Sequence, residues 1–352
     1  MAVNLATKYS DKIASKYTHE SYIKGRTSKA YDWDGVRGIK IYTPQTVALN
    51  DFQRSGTNRY GDPQEMQDTI QPMLMTQDKS FSLTIDKGNN QEQQMIKNAG
   101  KMLNLQIQEQ CVPVFDKYAL GQYIKLAGNV MGVSAKPTKS TIIETISAAV
   151  QKLDDASVPQ SGRTLYVTAE MYGLIRLSPE FVGLEKLGTK AIAKGETGEV
   201  LGAAVVKVPT SYLPANCYIV LAHKNSVLFP VKIQDAKIHQ DPPGISGALL
   251  EGRFLYDAFV LGAKCDGICA VVLGSSKQAN VTFGGTAPNV TMTSSGAASI
   301  RYTTDGTDPR YSDTALIYGG QITLTATSTV RAVAFGPTGG FTSDVTSTSI
   351  TV

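Results

Sequence analysis

The chain has 352 residues, with 34 Lys and Arg against 30 Asp and Glu and a hydrophobic content of 42%. That content excludes a disordered chain, and the length predicts about two domains, each able to bury a core. A net charge of +4 lacks the clustered basic excess of a nucleic-acid binder, no apolar run reaches the ~18 residues of a spanning helix, and the first residues lack the apolar segment of a secretory signal. The expectation is a chain made and folded in the cytoplasm with no membrane partner.

Residues 1–35 are polar and show no sustained period, which predicts an extended N-terminal arm with little core of its own. Residues 37–49 then alternate, with Ile39, Ile41, Val47 and Leu49 on one parity. Phe81, Leu83 and Ile85 alternate with Ser82, Thr84 and Asp86. These two runs read as the strands of one long hairpin over 36–86. Between them residues 50–67 form a mostly polar tip holding Asp51, Arg54, Arg59, Asp62 and Glu65. Connections of that length inside a compact domain are functional or disordered.

A turn at 86–90 leads into a long helix over 89–111, with Ile96, Ala99, Leu103 and Ile107 on one stripe and six glutamines on the other faces of 91–110. A second helix starts at a capping box, Thr141 to Glu144. It carries Ile142, Ile146, Ala149, Val150 and Leu153 on one face and stops at Val158-Pro159. A strand at 165–168, a short helix at 169–177 and strands near 200–208, 218–222, 227–231, 232–239, 253–261 and 268–273 follow. The order is α+β with non-local pairing, unlike the regular alternation of a doubly wound sheet.

Near residue 275 the alphabet changes. After Lys277 there is no Lys, Glu, Cys or His, and Ser and Thr fill 26 of the last 77 positions. Short β-branched runs at 299–304, 321–324 and 329–335 are punctuated by Asp-Gly, Gly-Gly and Gly-Pro. This predicts an all-β sandwich over 281–352, joined through a small polar linker at 274–280 to a domain spanning 36–273.

No catalytic, cofactor or metal constellation emerges. His19, His223 and His239 are far apart in sequence, and Cys265 and Cys269 have no second ligand pair. Cys111, Cys217, Cys265 and Cys269 read as small buried hydrophobes. Residues 183–190 approach a phosphate-binding loop but place Thr189 between Gly188 and Lys190, which breaks the required order. Asp305, Asp308 and Asp313 are turn formers around Gly306 and Pro309 or, alternatively, calcium ligands. The balance favours a structural or binding protein.

The polar arm, the long hairpin, the run from Phe81 to Asn89 entering a Gln-rich helix, and Val112-Pro113 to Tyr118 after it resemble the major capsid proteins of tailed bacteriophages. So do Leu153 to Pro159 with Gly162 to Val167, the Ala169–Leu174 helix, and the stretch from Gly198 to Ser211. The resemblance spans roughly residues 30–273. Separately, Ile300 to Pro309 with its Tyr-Thr-Thr-Asp-Gly core, Tyr318 to Leu324 and Thr329 to Ala334 are similar to the immunoglobulin-like C-terminal domain of chitobiases and hexosaminidases, an accessory module without catalytic residues.

The resemblance implies a non-enzymatic, cofactor-free subunit that assembles with copies of itself, as hexamers and pentamers, into an icosahedral shell around double-stranded DNA. It implies scaffold, portal and decoration proteins as further partners and the virion as location. The hairpin would reach a neighbouring subunit, with Asp51, Arg54, Arg59, Asp62 and Glu65 as contact residues or as a solvated loop, and the arm would order on assembly. The C-terminal domain would stand outside as a knob, either without a ligand or adhering to glycans through Tyr302, Asp305, Asp308 and Tyr311. Two alternatives are a tail-tube or other virion protein, which should be mostly strand, and a carbohydrate-active enzyme, which should show acidic pairs in an aromatic cleft, whereas Trp33 is the single tryptophan.

Overall fold

A computed structural model describes residues 21–31, 33, 37–47, 49–63, 65, 66, 68–88, 98–178, 198–337 and 340–352. The first part of the expected arm (1–20), the start of the expected long helix and the 183–190 segment lie outside the described residues. Among the described residues no helix is long and apolar enough to cross a membrane.

The chain opens with β1 (Gly38–Pro44), β2 (Asp68–Leu74) and β3 (Gln77–Asp86). Here the sequence reading is corrected. β1 pairs with β2, with Gly38 opposite Leu74 and Pro44 opposite Asp68. The 81–85 run pairs instead with residues 248–252, with Phe81 opposite Gly252 and Ile85 opposite Ala248. Alternation reports which face of a strand is buried and says nothing about its partner. β2 escapes a pattern search because Gln71 and Pro72 interrupt it, and Pro72 is tolerated because a two-stranded ribbon is all edge.

Helices α1 (Ala99–Gln106) and α2 (Val112–Lys125) are joined by a π turn over Ile107–Cys111. The helix expected to end at 111 therefore runs on to Lys125. Val112 N–H bonds back to the Ile107 carbonyl, which resets the register and puts Pro113 in the first turn of α2, where its missing N–H leaves no intrahelical gap. Next come β4 (Asn129–Val133), α3 (Ile142–Asp155), β5 (Arg163–Thr168) and α4 (Ala169–Arg176). The expected capping box does not form at α3. Thr141 has helical backbone angles and its hydroxyl accepts from Thr138 N–H at 3.0 Å instead of capping the helix.

Strands β6 (Glu199–Val200), β7 (Ala203–Val208), β8 (Cys217–His223), β9 (Val227–Leu228), β10 (Val231–Gln240), β11 (Gly247–Tyr256), β12 (Phe259–Val260) and β13 (Ile268–Leu273) complete this part. A six-stranded mixed sheet runs β4-β13-β8-β5-β7-β6. Both its faces are buried, which is why β5, β8 and β13 read as apolar runs. Leu165, Val167, Ile219, Leu221, Cys269 and Val271 face α3, against Ile142, Ile146, Ala149 and Leu153. Tyr166, Val220, Ala270 and Val272 face α2, against Ala119, Leu120, Tyr123 and Ile124. Arg163, only 2% exposed, is satisfied by Asp154 and by the Val158 and Pro159 carbonyls.

A second, three-stranded sheet, β10-β11-β3, is antiparallel throughout. Gly252 on β11 lies under the Phe81 ring, and a Cβ there would fall 2.4 Å from that ring. The end of the expected arm is also corrected: Tyr22 and Ile23 belong to the core beneath α2, and the buried Asp116 carboxylate accepts from Ser21 Oγ at 2.6 Å and from Tyr22 N–H at 2.7 Å. Side chains buried one at a time from irregular backbone leave no periodic trace.

The C-terminal part holds β14 (Thr282–Gly284), β15 (Asn289–Thr293), β16 (Ser299–Thr303), β17 (Leu316–Ile317), β18 (Ile322–Thr323), β19 (Ser328–Phe335) and β20 (Thr346–Ile350). Sheets β14-β15-β18 and β17-β16-β19-β20 enclose Val290, Met292, Ile300, Tyr302, Val330 and Ala332. The segment between the two parts is hydrogen-bonded on both sides: Asn216 Nδ2 donates to Ser276 Oγ, and Lys277 pairs with Asp344 at 2.6 Å.

Candidate assembly surface

The β1–β2 ribbon has a buried root and an uncovered outer part. At the root, Ile41, Met73 and Met75 pack with Trp33, Leu228, Leu255 and Leu261, and Trp33 stacks on Phe259 at 5.4 Å between ring centroids. The buried Asp257 carboxylate accepts from Thr76 N–H at 2.8 Å, Thr76 Oγ1 at 2.9 Å and Tyr118 Oη at 2.7 Å, tying the ribbon's end to α2. Burial, with the Asp257 charge beside it, pushes the Tyr118 phenol well above its ordinary range, so it stays a donor.

Beyond the root, Tyr42, Val47, Leu49, Phe52, Tyr60 and Met66 are exposed, Leu49 completely and Tyr60 by 86%. Exposed apolar side chains of this size are candidates for contact with a partner. The tip is locally ordered by its own bonds: Gln53 N–H donates to the Arg59 carbonyl at 3.0 Å, Gly61 N–H to the Asn58 carbonyl at 2.9 Å, and Phe52 meets Tyr60 edge-on at 5.1 Å.

The predicted contact residues Asp51, Arg54, Arg59, Asp62 and Glu65 all lie on this tip and all are exposed. Asp62 accepts from Asn58 Nδ2 at 2.9 Å and Arg59 Nε donates to the Gly56 carbonyl at 3.3 Å. Asp51, Arg54 and Glu65 make no side-chain hydrogen bond or ion pair among the described residues. The apolar residues on the same loop, Phe52, Tyr60 and Met66, were missed by a reading that looked for charge; their signal was large side chains inside a polar stretch.

Of the four residues predicted to meet a glycan, Tyr302 and Tyr311 are buried, while Asp305 is exposed and Asp308 partly so. Tyr302 is buried in the sandwich core. Asp305 accepts from Thr307 N–H at 3.0 Å, Thr307 Oγ1 at 2.5 Å and Thr314 Oγ1 at 2.7 Å; these bonds outweigh its partial burial and hold its carboxyl below the usual range. Asp308 pairs with Arg310 at 2.7 Å, and Tyr311 is 7% exposed with its ring turned into the first domain. The calcium alternative has no support in this geometry, since among the described residues no three His, Cys, Asp or Glu side chains converge on one point.

Nor do the cysteines form a reactive group. Cys217, Cys265 and Cys269 are buried as expected, and burial pushes their thiols up to about 12, about 11 and about 12. Cys111, in the π turn, is only half-buried, which departs from the expectation of four buried hydrophobes.

Comparison with known proteins bears on both parts. Residues 280–347 match the chitobiase/beta-hexosaminidase C-terminal domain, a match confined to the C-terminal sandwich. No curated protein matches the chain. Among solved structures, one from Mycobacterium phage Che8 is similar at a TM-score of 0.63 and 18% identity, covering 77% of this chain and 98% of that one. The asymmetric unit of the bacteriophage PhiM1 mature capsid gives 0.61 and 16%, over 76% and 92% of the two chains. The capsid structure of the cyanophage P-SCSP1u gives 0.62 and 11%, over 77% and 93%. At these identities the likeness establishes architecture: the chain has the α+β fold found in phage capsid structures, followed by an immunoglobulin-like sandwich of the chitobiase and hexosaminidase C-terminal type.

Proposed function

We propose that this chain is a major capsid protein, a non-enzymatic subunit whose copies close into an icosahedral phage head around double-stranded DNA. The arm (1–35), shell domain (36–273), linker (274–280) and sandwich (281–352) are its working parts. One observation carries the reading: on a fold shared with capsid structures, the β1–β2 ribbon presents Leu49, Phe52, Tyr60 and Met66 uncovered beyond a firmly packed root. Burying such a surface against a second copy supplies association energy, roughly 25 cal/mol per Å² of apolar area. Self-association tolerates a near-neutral chain, and a net charge of +4 lets an inner wall lie beside DNA without the tight counterion-release binding that would hinder its packing and exit. Scaffold and portal proteins complete the set of partners.

Negative-stain microscopy of the protein expressed in bacteria, with and without a scaffold partner, tests this. Closed shells are expected from the full chain and none from a chain lacking residues 50–67. Tubes, or single subunits under both conditions, would overturn the reading.

A further inference from the structure

The loop 305–314 of the sandwich is built for contact, and the contact it makes lies within its own chain. Its shape is fixed internally, by Asp305 accepting from Thr307 and Thr314 and by Asp308 holding the Arg310 guanidinium through Nε and NH2. Its outward bonds go to backbone groups of two separate elements. Arg310 NH1 donates to the Ala127 carbonyl at 2.7 Å and the Gly128 carbonyl at 3.0 Å, and Tyr311 Oη donates to the Leu126 carbonyl at 2.5 Å. These are the free carbonyls just past the end of α2, where a cation is favoured by the helix dipole. Asp313 N–H donates to the Ile70 carbonyl on β2 at 3.1 Å, filling a place on the ribbon's outer edge.

A third element closes the joint. Gln71, the next residue on β2, donates through Nε2 to the Val260 carbonyl and accepts from Gly262 N–H, both at 2.8 Å. Tyr311 packs on Gly262, where a Cβ would lie 2.9 Å from the tyrosine Cβ; the absence of a side chain there lets the loop seat. The helix end, the 260–262 turn and the ribbon root thus meet on one loop of the other domain.

We propose that loop 305–314 is an intramolecular clasp, centred on Arg310 and Tyr311, through which the C-terminal domain fixes the direction of the β1–β2 ribbon. The domain is then part of the arm-orienting machinery of the subunit as well as an outer feature. Its consequence for shell geometry rests on the capsid reading; the clasp itself does not, because it is a property of the single chain.

Amide hydrogen exchange on the full-length protein tests it, read at residues 69–74 of the ribbon and at 329–334 of the sandwich. In Arg310→Met, exchange at 69–74 is expected to rise at least about tenfold while 329–334 stays protected, and in Tyr311→Phe, which loses one hydroxyl, it is expected to rise about fivefold. If Arg310→Met also exposes 329–334, the milder Tyr311→Phe decides by the same criterion. Unchanged exchange at 69–74 in folded variants would overturn the clasp. Absence of shells from the unmodified chain would count against the capsid reading and leave the exchange result standing.

Discussion

His223 is 5% exposed, and both its ring nitrogens are engaged: Nε2 donates to the Ser161 carbonyl at 3.0 Å and Nδ1 accepts from Asn225 N–H at 3.2 Å. Protonation at Nδ1 would destroy the second bond. Burial, with Arg163 and Lys264 nearby, holds the imidazole below its ordinary 6.5. The unfolded chain therefore binds the proton more readily, so stability is full above that value and falls as pH drops through it toward the folded pKa. Between about pH 7.5 and about pH 5.5 the wild type should lose more stability, by urea titration, than His223→Gln, which lacks the titrating group. Equal losses would show that His223 does not contribute to the acid slope. A sequence reading registers this histidine only as isolated. Its role depends on Arg163, which β5 pairing with β8 places opposite it, and on the Ser161 carbonyl just before β5.

At the scale of elements, periodic segments were legible and pairings were not. The apolar positions of α3 point to the sheet as the 3.6-residue period requires, because one face of that helix is covered and the other wet. The ribbon shows the opposite case. Its second strand has a proline and no clean alternation, while the run that does alternate serves a different sheet. The tip differs again, since the hydrogen bonds and ring contacts of its described residues stay within the tip itself. Phe52→Ser with Tyr60→Ser should change the subunit's unfolding free energy by no more than about 1 kcal/mol, as expected for exposed positions, yet abolish assembly followed by light scattering. Assembly at the wild-type level would show that the tip is not a contact surface.

Across the whole molecule the two parts share a core. Tyr311 and Phe341 of the sandwich are buried with Leu120, Ile124 and Ala270 of the shell domain. A chain ending at residue 275 loses both aromatic side chains and the Arg310 bonds at the end of α2, each aromatic contributing about 1.5–3 kcal/mol of burial. Its thermal midpoint, followed by circular dichroism, should fall by at least about 5 °C relative to the full chain. An unchanged midpoint would mean that the domains are thermodynamically independent.

The sequence alone determined what is local and repetitive: the α+β order, the amphipathic helices, the shift near residue 275 from mixed charge to a Thr- and Ser-rich β alphabet, and the hairpin tip as a long polar connection holding five charged candidates. These follow from short-range periodicity and composition, which a single chain displays residue by residue. Tertiary structure alone decided that β1 pairs with β2, that Tyr22 and Ile23 are core residues, that the helix continues through Pro113, that Asp308 is paired with Arg310 of its own loop, and that Tyr311 is turned into the first domain. Each depends on which distant backbone carbonyl or apolar face lies opposite, and distance in space is set by packing between segments that carry no common pattern.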